Sequence, residues 1–235
     1  MIIPVLMYHS VEPEAPDYLT VSTAVFEEQM RFLKDNFSVI SARQGAEMHK
    51  GRMEIPENPL IVTFDDGFAT VAEYAVPVLE RLGLTATMFI VGKYIGGNNV
   101  WDHKAYRILP HMTAWQIREL SDCGYEIGSH TLTHQRITKL PIEEQKRELD
   151  ENDQILADIT GEHPKVFAYP YGGADELSAG LCRERYVISF ATVHCGIFDW
   201  TEDPGMVRRI YVSPNDTFLS LKEKIDLYRQ GVQLE

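Results

Sequence analysis

Short runs of apolar and β-branched residues recur along the chain and alternate with longer segments of helical spacing. Runs of this length, bounded by polar residues, are typical of buried strands. Their alternation with helices is typical of a parallel α/β sheet. Eight runs are strand candidates: 2–8, 37–40, 60–64, 85–91, 125–129, 166–169, 187–191 and 207–212. The pattern therefore predicts seven or eight parallel strands.

Segments between these runs carry the spacing and the caps of helices. Phe26, Met30 and Leu33 recur at i, i+4 and i+7, which predicts one buried stripe on a helix. Thr113 can accept a hydrogen bond from the first turn of a helix over 114–122. Strands and helices together predict consecutive βα units.

The segment 142–160 combines helical spacing with many acidic residues. Leu149, Leu156 and Ile159 share one face, and acidic side chains occupy much of the remainder. Charge of this kind is typical of a solvated face. We interpret the segment as a surface helix without a functional acidic patch.

Composition and charge narrow the class of protein. The chain has 235 residues, 44% hydrophobic and 24% charged, as expected of a soluble globular protein. We take 1–235 as one domain, because α/β barrels of this length fold around one core. With 22 Lys and Arg against 35 Asp and Glu, the net charge of −13 disfavours nucleic acid and anionic lipid as partners. The charge suits a neutral or cationic substrate, and it equally suits a role in solubility alone.

Cysteine usage and the first residues bear on the cellular compartment. Cys123, Cys182 and Cys195 are an odd number without metal-type spacing, which predicts small core residues in a reducing compartment. The first apolar run lacks a basic flank and is too short for a signal peptide or a membrane span. We therefore expect a cytoplasmic protein without a transmembrane segment. A chain trimmed of a leader would look the same, so export stays open.

Two adjacent carboxylates, Asp65 and Asp66, follow the apolar run 60–64 and precede Gly67. Acids at this position are costly to bury unless something positive is bound. Active sites of parallel α/β proteins form at the carboxyl ends of strands, so position and chemistry agree. The alternative is that one Asp caps the next helix while Gly67 makes the turn.

His130 and His134 follow another predicted strand, within the sequence SHTLTH. A spacing of four residues can point both imidazoles to one side of a helical turn or compact loop, as metal ligands require. A lone histidine is more often a packed or surface residue. Two at this spacing, joined with a strand-end carboxylate, predict a His-His-Asp set that holds Zn²⁺ with open positions.

In TFDDG and SHTLTH the chain resembles the polysaccharide deacetylases, carbohydrate esterase family four. The resemblance covers about residues 1–212, in the order of the motifs and in the succession of strands. It implies a single-domain, distorted (β/α)-barrel of seven or eight strands. It also implies that Asp66, His130 and His134 are the metal ligands and that Asp65 is the general base.

The segment 168–172 (AYPYG) is similar to the third motif of that family, which lines the substrate groove. Pro170 and Tyr171 are thus implied to bind substrate, with the backbone N–H of Tyr171 stabilising the oxyanion. Ala168 stands where the family has an arginine that helps orient the base. Arg209 is our candidate for orienting the base, and we expect it among the residues of the substrate site. The alternative is that Arg209 is a surface arginine.

The last motif of the family, Leu-x-x-His, stands near the start of this chain, at 6–9 (LMYH). This order resembles the circularly permuted deacetylases of poly-N-acetylglucosamine. A closed barrel tolerates permutation because its first and last strands are neighbours. His9 is therefore the implied general acid, with a histidine satisfied by backbone as the alternative. His103 and His194 are the fallback acids.

The resemblance implies hydrolysis of the acetamide of an N-acetylated sugar, with release of acetate. The expected cofactor is a divalent metal, Zn²⁺ first, with Co²⁺ or Ni²⁺ also suited by affinity order. Asp65 would take the proton of the attacking water, and His9 would protonate the departing amine. Two other functions stay open: an amidase of the same fold that acts on a cyclic or other non-sugar amide, and a glycan-binding module that has lost catalysis.

Two loops, 92–112 and 192–206, are long enough to shape a pocket. Trp101 and Trp200 lie in them and are candidates for a wall that stacks on a sugar ring. Trp115 lies within a helical period, which predicts a core position.

Overall fold

The protein is described here from a computed structural model, which covers residues 2–102, 107–192, 196–198, 200 and 202–232. Ten strands and seven α-helices alternate along these segments. The strands are β1 Val5–Tyr8, β2 Ser10–Glu12, β3 Thr20–Ser22, β4 Ser38–Ile40, β5 Pro59–Phe64, β6 Thr87–Ile90, β7 Glu126–Ser129, β8 Val166–Ala168, β9 Ile188–Phe190 and β10 Ile210–Tyr211. The α-helices are α1 Thr23–Asn36, α2 Ala42–His49, α3 Val76–Leu82, α4 Ala114–Asp122, α5 Ile142–Thr160, α6 Glu176–Arg185 and α7 Phe218–Arg229. Each of the eight predicted apolar runs overlaps one strand.

Those eight strands form one parallel sheet in the order β10-β1-β5-β6-β7-β8-β9, with β4 paired to β5. A parallel bridge between Phe190 and Val207 brings β9 close to the segment that leads into β10, so the sheet curls toward closure. The predicted distorted (β/α)-barrel is confirmed. In this order β1 lies inside the sheet, between β5 and β10, as a permuted topology requires.

The core lies between this sheet and the helices around it. All six residues of β5 are buried, which explains its unbroken apolar sequence. Phe26, Met30 and Leu33 of α1 are fully buried against the sheet, as their spacing predicted. Full burial of each such side chain contributes about 1.5–3 kcal/mol of transfer free energy. No helix within the described segments is long and apolar enough to cross a bilayer.

Several burial predictions were wrong. Helix α5 has the predicted extent, but Gln145, Glu148, Asn152 and Asp153 lie buried, so its polar side is only partly solvated. The reason is that Gln145, Glu148 and Asn152 hydrogen-bond to residues at the end of β7 and in the segment after it, and Asp153 accepts from the hydroxyl of Tyr186.

Two tryptophans and one cysteine also differ from prediction. Trp115, predicted in the core, is 66% exposed in the first turn of α4. Trp200 is buried in the core with Ile61 and Phe190, so it forms no groove wall. Cys182 is buried as predicted, whereas Cys123 is exposed at the end of α4. Cys195 lies outside the described residues.

Candidate active site

The predicted site residues converge at the carboxyl ends of the strands, around a cavity of about 230 Å³. Its lining includes His9, Asp65, Asp66, His130, His134 and Tyr171. A larger cavity of about 450 Å³ lies at the opposite, amino ends of the strands, beside Thr85, Glu126 and Lys165. That larger cavity holds none of the predicted catalytic groups, so we assign the chemistry to the smaller one.

The turn after β5 separates the two carboxylates that the sequence places side by side. Asp65 continues the strand direction, and its N–H donates to the carbonyl of Tyr8 at 2.9 Å. Asp66 and Gly67 then adopt positive φ angles of 71° and 79°. For a residue with a side chain this conformation costs about 1–2 kcal/mol. The turn is therefore held by its surroundings, as is common at functional sites.

The loop after β7 carries the two histidines, and it is not helical. Thr131 and His134 have positive φ angles of 63° and 59°, and this backbone brings the two imidazoles together. Asp66 Oδ1 lies 3.1 Å from His134 Nε2 and 3.5 Å from His130 Nε2. The three ligand atoms lie within 4.8 Å of one another, and all three residues are buried.

Hydrogen bonding fixes the orientation of His130 and favours a cation in this cluster. His130 Nδ1 lies 2.7 Å from the carbonyl of Ala168, which can only accept, so Nδ1 carries the proton. In the neutral ring, the Nε2 lone pair then faces the carboxylate of Asp66. Two electron-rich groups at this distance repel each other unless a cation lies between them. Two imidazoles and one carboxylate are a donor set that suits a divalent metal.

His134 is held differently from His130. Its ring stacks on Trp101 with centroids 4.5 Å apart, and the Tyr171 ring lies 4.7 Å away. Its Nδ1 is buried with no hydrogen-bond partner among the described residues. Trp101 thus packs against the imidazole of His134, a candidate metal ligand, and the sequence did not suggest this role.

Asp65 is paired with Arg209. The two guanidinium nitrogens Nη1 and Nη2 each lie 2.6 Å from one carboxylate oxygen, and Nη1 lies 3.1 Å from Thr63 Oγ1. Burial alone would raise the pKa of Asp65, but the charge of Arg209 lowers it below its ordinary value. Asp65 is therefore ionised at neutral pH. Arg209 is itself buried and contacts Asp65 from inside the sheet, so the structure does not place it against a substrate in the cavity.

His9 follows β1 directly and is half-buried at the cavity wall. It lies outside the group of potential ligands, and its ring lies edge-on to Tyr211 with centroids 6.2 Å apart. Its Nδ1 has no hydrogen-bond partner among the described residues. The predicted alternative, a histidine satisfied by backbone, is not seen at that nitrogen. The fallback acids, His103 and His194, lie outside the described residues.

The segment after β8 makes a tight turn at Pro170–Gly172, and its middle residue has a left-handed, non-helical backbone. Pro170 is buried, whereas Tyr171 is 44% exposed and has a positive φ of 57°. The guanidinium of Arg136 lies 4.2 Å from the centre of the Tyr171 ring. Tyr171 thus faces the cavity as predicted, while Pro170 shapes the turn.

Comparisons of sequence and fold with known proteins show what this chain is similar to. A model of the polysaccharide deacetylase family matches residues 52–184. The Bacillus subtilis protein YxkH, whose name assigns it provisionally to the polysaccharide deacetylases, is 28% identical over 90% of this chain and 72% of that protein. A poly-β-1,6-N-acetyl-D-glucosamine N-deacetylase of Escherichia coli is 22% identical over 94% of this chain, but this covers only 38% of that enzyme. A Streptococcus pyogenes deacetylase in complex with acetate has the same fold, with a TM-score of 0.83, 21% identity, and coverage of 96% of this chain and 98% of that one.

Proposed function

The chain belongs to the polysaccharide deacetylase family of hydrolases, and from that premise we propose that it removes the N-acetyl group from an N-acetylglucosamine-type glycan. The proposed reaction is metal-dependent and releases acetate. One observation carries the proposal: the Asp66, His130 and His134 cluster lies beside a separate carboxylate, Asp65, that pairs with Arg209 instead.

The donor set fits a divalent metal held by Asp66 Oδ1, His130 Nε2 and His134 Nε2. We propose Zn²⁺, with Co²⁺ or Ni²⁺ able to replace it. Such an ion supplies Lewis-acid activation of the acetyl carbonyl and of water. The buried Asp65 is kept out of the ligand group by its two bonds to Arg209, so its charge is available for proton transfer.

The residues of the chain then act at both ends of the amide bond. Asp65 accepts the proton of the attacking water as its oxygen bonds to the carbonyl carbon. The backbone N–H of Tyr171 donates to the oxyanion that results, an interaction worth about 3–4 kcal/mol in comparable sites. His9 gives a proton to the nitrogen as the C–N bond breaks, which leaves acetate and a free amine.

The choice of sugar rests on relatives, several of which are named poly-β-1,6-N-acetyl-D-glucosamine N-deacetylases. The chain spans 38% of the Escherichia coli enzyme and 58% of a Staphylococcus aureus one. The half-exposed side chain of Tyr171 lines the cavity beside the cluster, where a sugar ring next to the reacting acetamide would contact it.

An acetate-release screen tests the proposal. Oligomers of β-1,6-N-acetylglucosamine, chitin oligomers, a nucleotide sugar and free N-acetylglucosamine are each incubated with the protein, with and without a chelator. We expect acetate from at least one glycan, loss of that activity with chelator, and recovery with added Zn²⁺. Hydrolysis of cyclic or other non-sugar amides alone would indicate the amidase, and glycan binding without acetate would indicate an inactive module.

A further inference from the structure

Helix α5 presents buried polar side chains to the loop that carries the two histidines. Glu148 and Asn152 stand four residues apart on this helix, which places them on one face. They are 1% and 0% exposed, respectively. Neither residue lines the cavity, and the proposed reaction assigns no step to either of them.

Glu148 holds the second half of the loop. One carboxylate oxygen accepts from the N–H of Thr133 at 2.8 Å, and the other accepts from its hydroxyl at 2.6 Å. The main-chain carbonyl of Glu148 also accepts from the N–H of Leu132 at 3.0 Å. Thr133 directly precedes His134, so these bonds fix the backbone next to one imidazole.

Asn152 joins the ends of β6 and β7, next to the start of the loop. Its amide nitrogen donates to Ser129 Oγ at 2.8 Å and to the carbonyl of Ile90 at 3.1 Å, while its oxygen accepts from the N–H of Gly92 at 2.6 Å. The same Ile90 carbonyl accepts from the N–H of His130 at 3.1 Å. A side chain at Gly92 would overlap the Asn152 amide, so the close approach depends on that glycine.

These contacts stabilise a loop whose backbone conformation is unfavourable. Thr131 and His134 have positive φ angles, a conformation that relaxes unless surrounding bonds hold it. Burying a carboxylate costs free energy, and Glu148 is only 1% exposed. Two bonds from one threonine compensate its burial. The carboxylate of Glu148 therefore fixes the backbone of the loop at Thr133.

We propose that Glu148 and Asn152 are positioning residues for the metal centre. Glu148 acts through Leu132 and Thr133, which lie between His130 and His134. Asn152 acts through Ser129, directly before His130, and through Ile90, whose carbonyl accepts from the N–H of His130. The inference rests on the proposed metal-dependent function and extends it to a helix that contributes no ligand. Groups that orient metal ligands change metal affinity by about 10–100-fold when they are removed.

Metal affinity, measured by competition with a chromophoric chelator and Zn²⁺, tests the inference without reliance on activity. We expect Glu148→Ala to weaken Zn²⁺ binding at least 10-fold. Glu148→Gln keeps one acceptor and should lose less. Thr133→Val removes the hydroxyl but leaves the backbone donor, and it should combine with Glu148→Gln less than additively, because both changes break the same bond.

Gln145→Ala is the matched control. Gln145 is 1% exposed on the same helix, and its amide donates to the carbonyl of Leu140, away from the histidines. We expect it to lower the melting temperature of the metal-free protein while leaving Zn²⁺ affinity unchanged. A purely structural role for Glu148 would give the same pattern in both variants.

The possible failures are distinguishable. Wild-type protein that binds no Zn²⁺ would overturn the proposed function together with this inference. Wild-type binding with unchanged affinity in Glu148→Ala would overturn only the inference. If Glu148→Ala does not fold, Glu148→Gln and Thr133→Val still decide, since wild-type affinity in both would contradict the proposed role.

Discussion

The arginine that pairs with Asp65 precedes β10 in this chain, instead of standing at the end of β8. Ala168 at the end of β8 has no charge to offer, and Arg209, immediately before β10, reaches Asp65 with two hydrogen bonds. The Phe89 and Phe190 rings lie 5.6 and 5.9 Å from the guanidinium, so the pair is enclosed by apolar surface. In such surroundings, removal of one partner leaves a buried charge without compensation.

We therefore expect Arg209→Met to lower the free energy of unfolding by about 3–5 kcal/mol. The double variant Asp65→Asn/Arg209→Met should recover most of that loss, because neither charge is left buried alone. The double variant should release no acetate, because Asp65, the proposed proton acceptor, is replaced by an amide. Urea denaturation of the wild type and the variants measures the first effect. If the double variant is no more stable than Arg209→Met, the two side chains are not coupled as described.

His9 and His130 should respond differently to replacement. His9 lies outside the ligand cluster, so His9→Ala should keep its metal content while kcat falls about 100-fold or more. His130→Ala should lose metal first, since one of three ligand atoms disappears. Metal analysis of both dialysed variants, beside kcat, separates the roles. Metal loss in His9→Ala would make that residue a ligand.

At the level of elements, the strands were predictable because a parallel sheet buried on both faces requires unbroken apolar runs. The run 60–64 is an example, and β5 occupies Pro59–Phe64. Strands β2 and β3 were missed, because each has a single valine between two polar residues and so forms no apolar run. Their pairing with each other depends on the loops that join them.

The residues of the candidate site were predictable from local motifs. The backbone conformations and hydrogen bonds that hold them in place were not. Asp66, His130 and His134 stand at strand ends, which the apolar pattern locates. The positive φ angles of Asp66 and His134 depend on tertiary contacts, which no local pattern reports. Helix α5 was misjudged for the same reason, because Glu148 looks like a solvated acid until its partner Thr133 is known.

Asp153 of α5 should make stability depend on pH. Burial raises its pKa from 3.8 to about 6, although hydrogen bonds from Ser129 and Tyr186 oppose the shift. The unfolded chain therefore releases this proton at lower pH than the folded one, and the contribution to stability falls as pH rises from about 4 through 6. The loss amounts to as much as about 3 kcal/mol. Asp153→Asn should remove it.

Urea unfolding at pH 4 and at pH 8 checks this prediction by comparing Asp153→Asn with the wild type. The variant should gain stability relative to the wild type at pH 8, and the gain should be small at pH 4. An equal difference at both values would show that Asp153 titrates normally in the fold.

The turn Pro170–Gly172 should tolerate no side chain at its last position. Gly172 has a φ of 65°, and a Cβ there would overlap the side chain of Thr192. We expect Gly172→Ala to cost about 2–4 kcal/mol, from overpacking and the left-handed backbone together. Adding Thr192→Gly should relieve the overlap, because the overlapping atoms include the Cβ of Thr192 at 2.5 Å, and should leave only the cost of the left-handed backbone, about 1–2 kcal/mol. Denaturation measures both, and no recovery in the double variant would place the strain elsewhere.

For the whole molecule, net charge and product chemistry act together. The chain carries a net charge of −13, and each deacetylation turns a neutral acetamide into an amine that is cationic at neutral pH. Opposite charges attract over about 10 Å at 0.1 M salt. Partly deacetylated oligomers should therefore inhibit more strongly than acetylated ones of equal length, and added salt should relieve the inhibition. Inhibition constants at 0.02 and 0.3 M NaCl check this.

The pairing of Leu6 with Ile210 joins positions about two hundred residues apart in the chain. During synthesis on the ribosome, β1 emerges long before its neighbour β10 exists, and Asp65 precedes Arg209 by 144 residues. Contacts between such distant positions slow folding, because a large loop must close first. The nascent chain therefore cannot form the Asp65–Arg209 pair until residues 209–211 have left the exit tunnel.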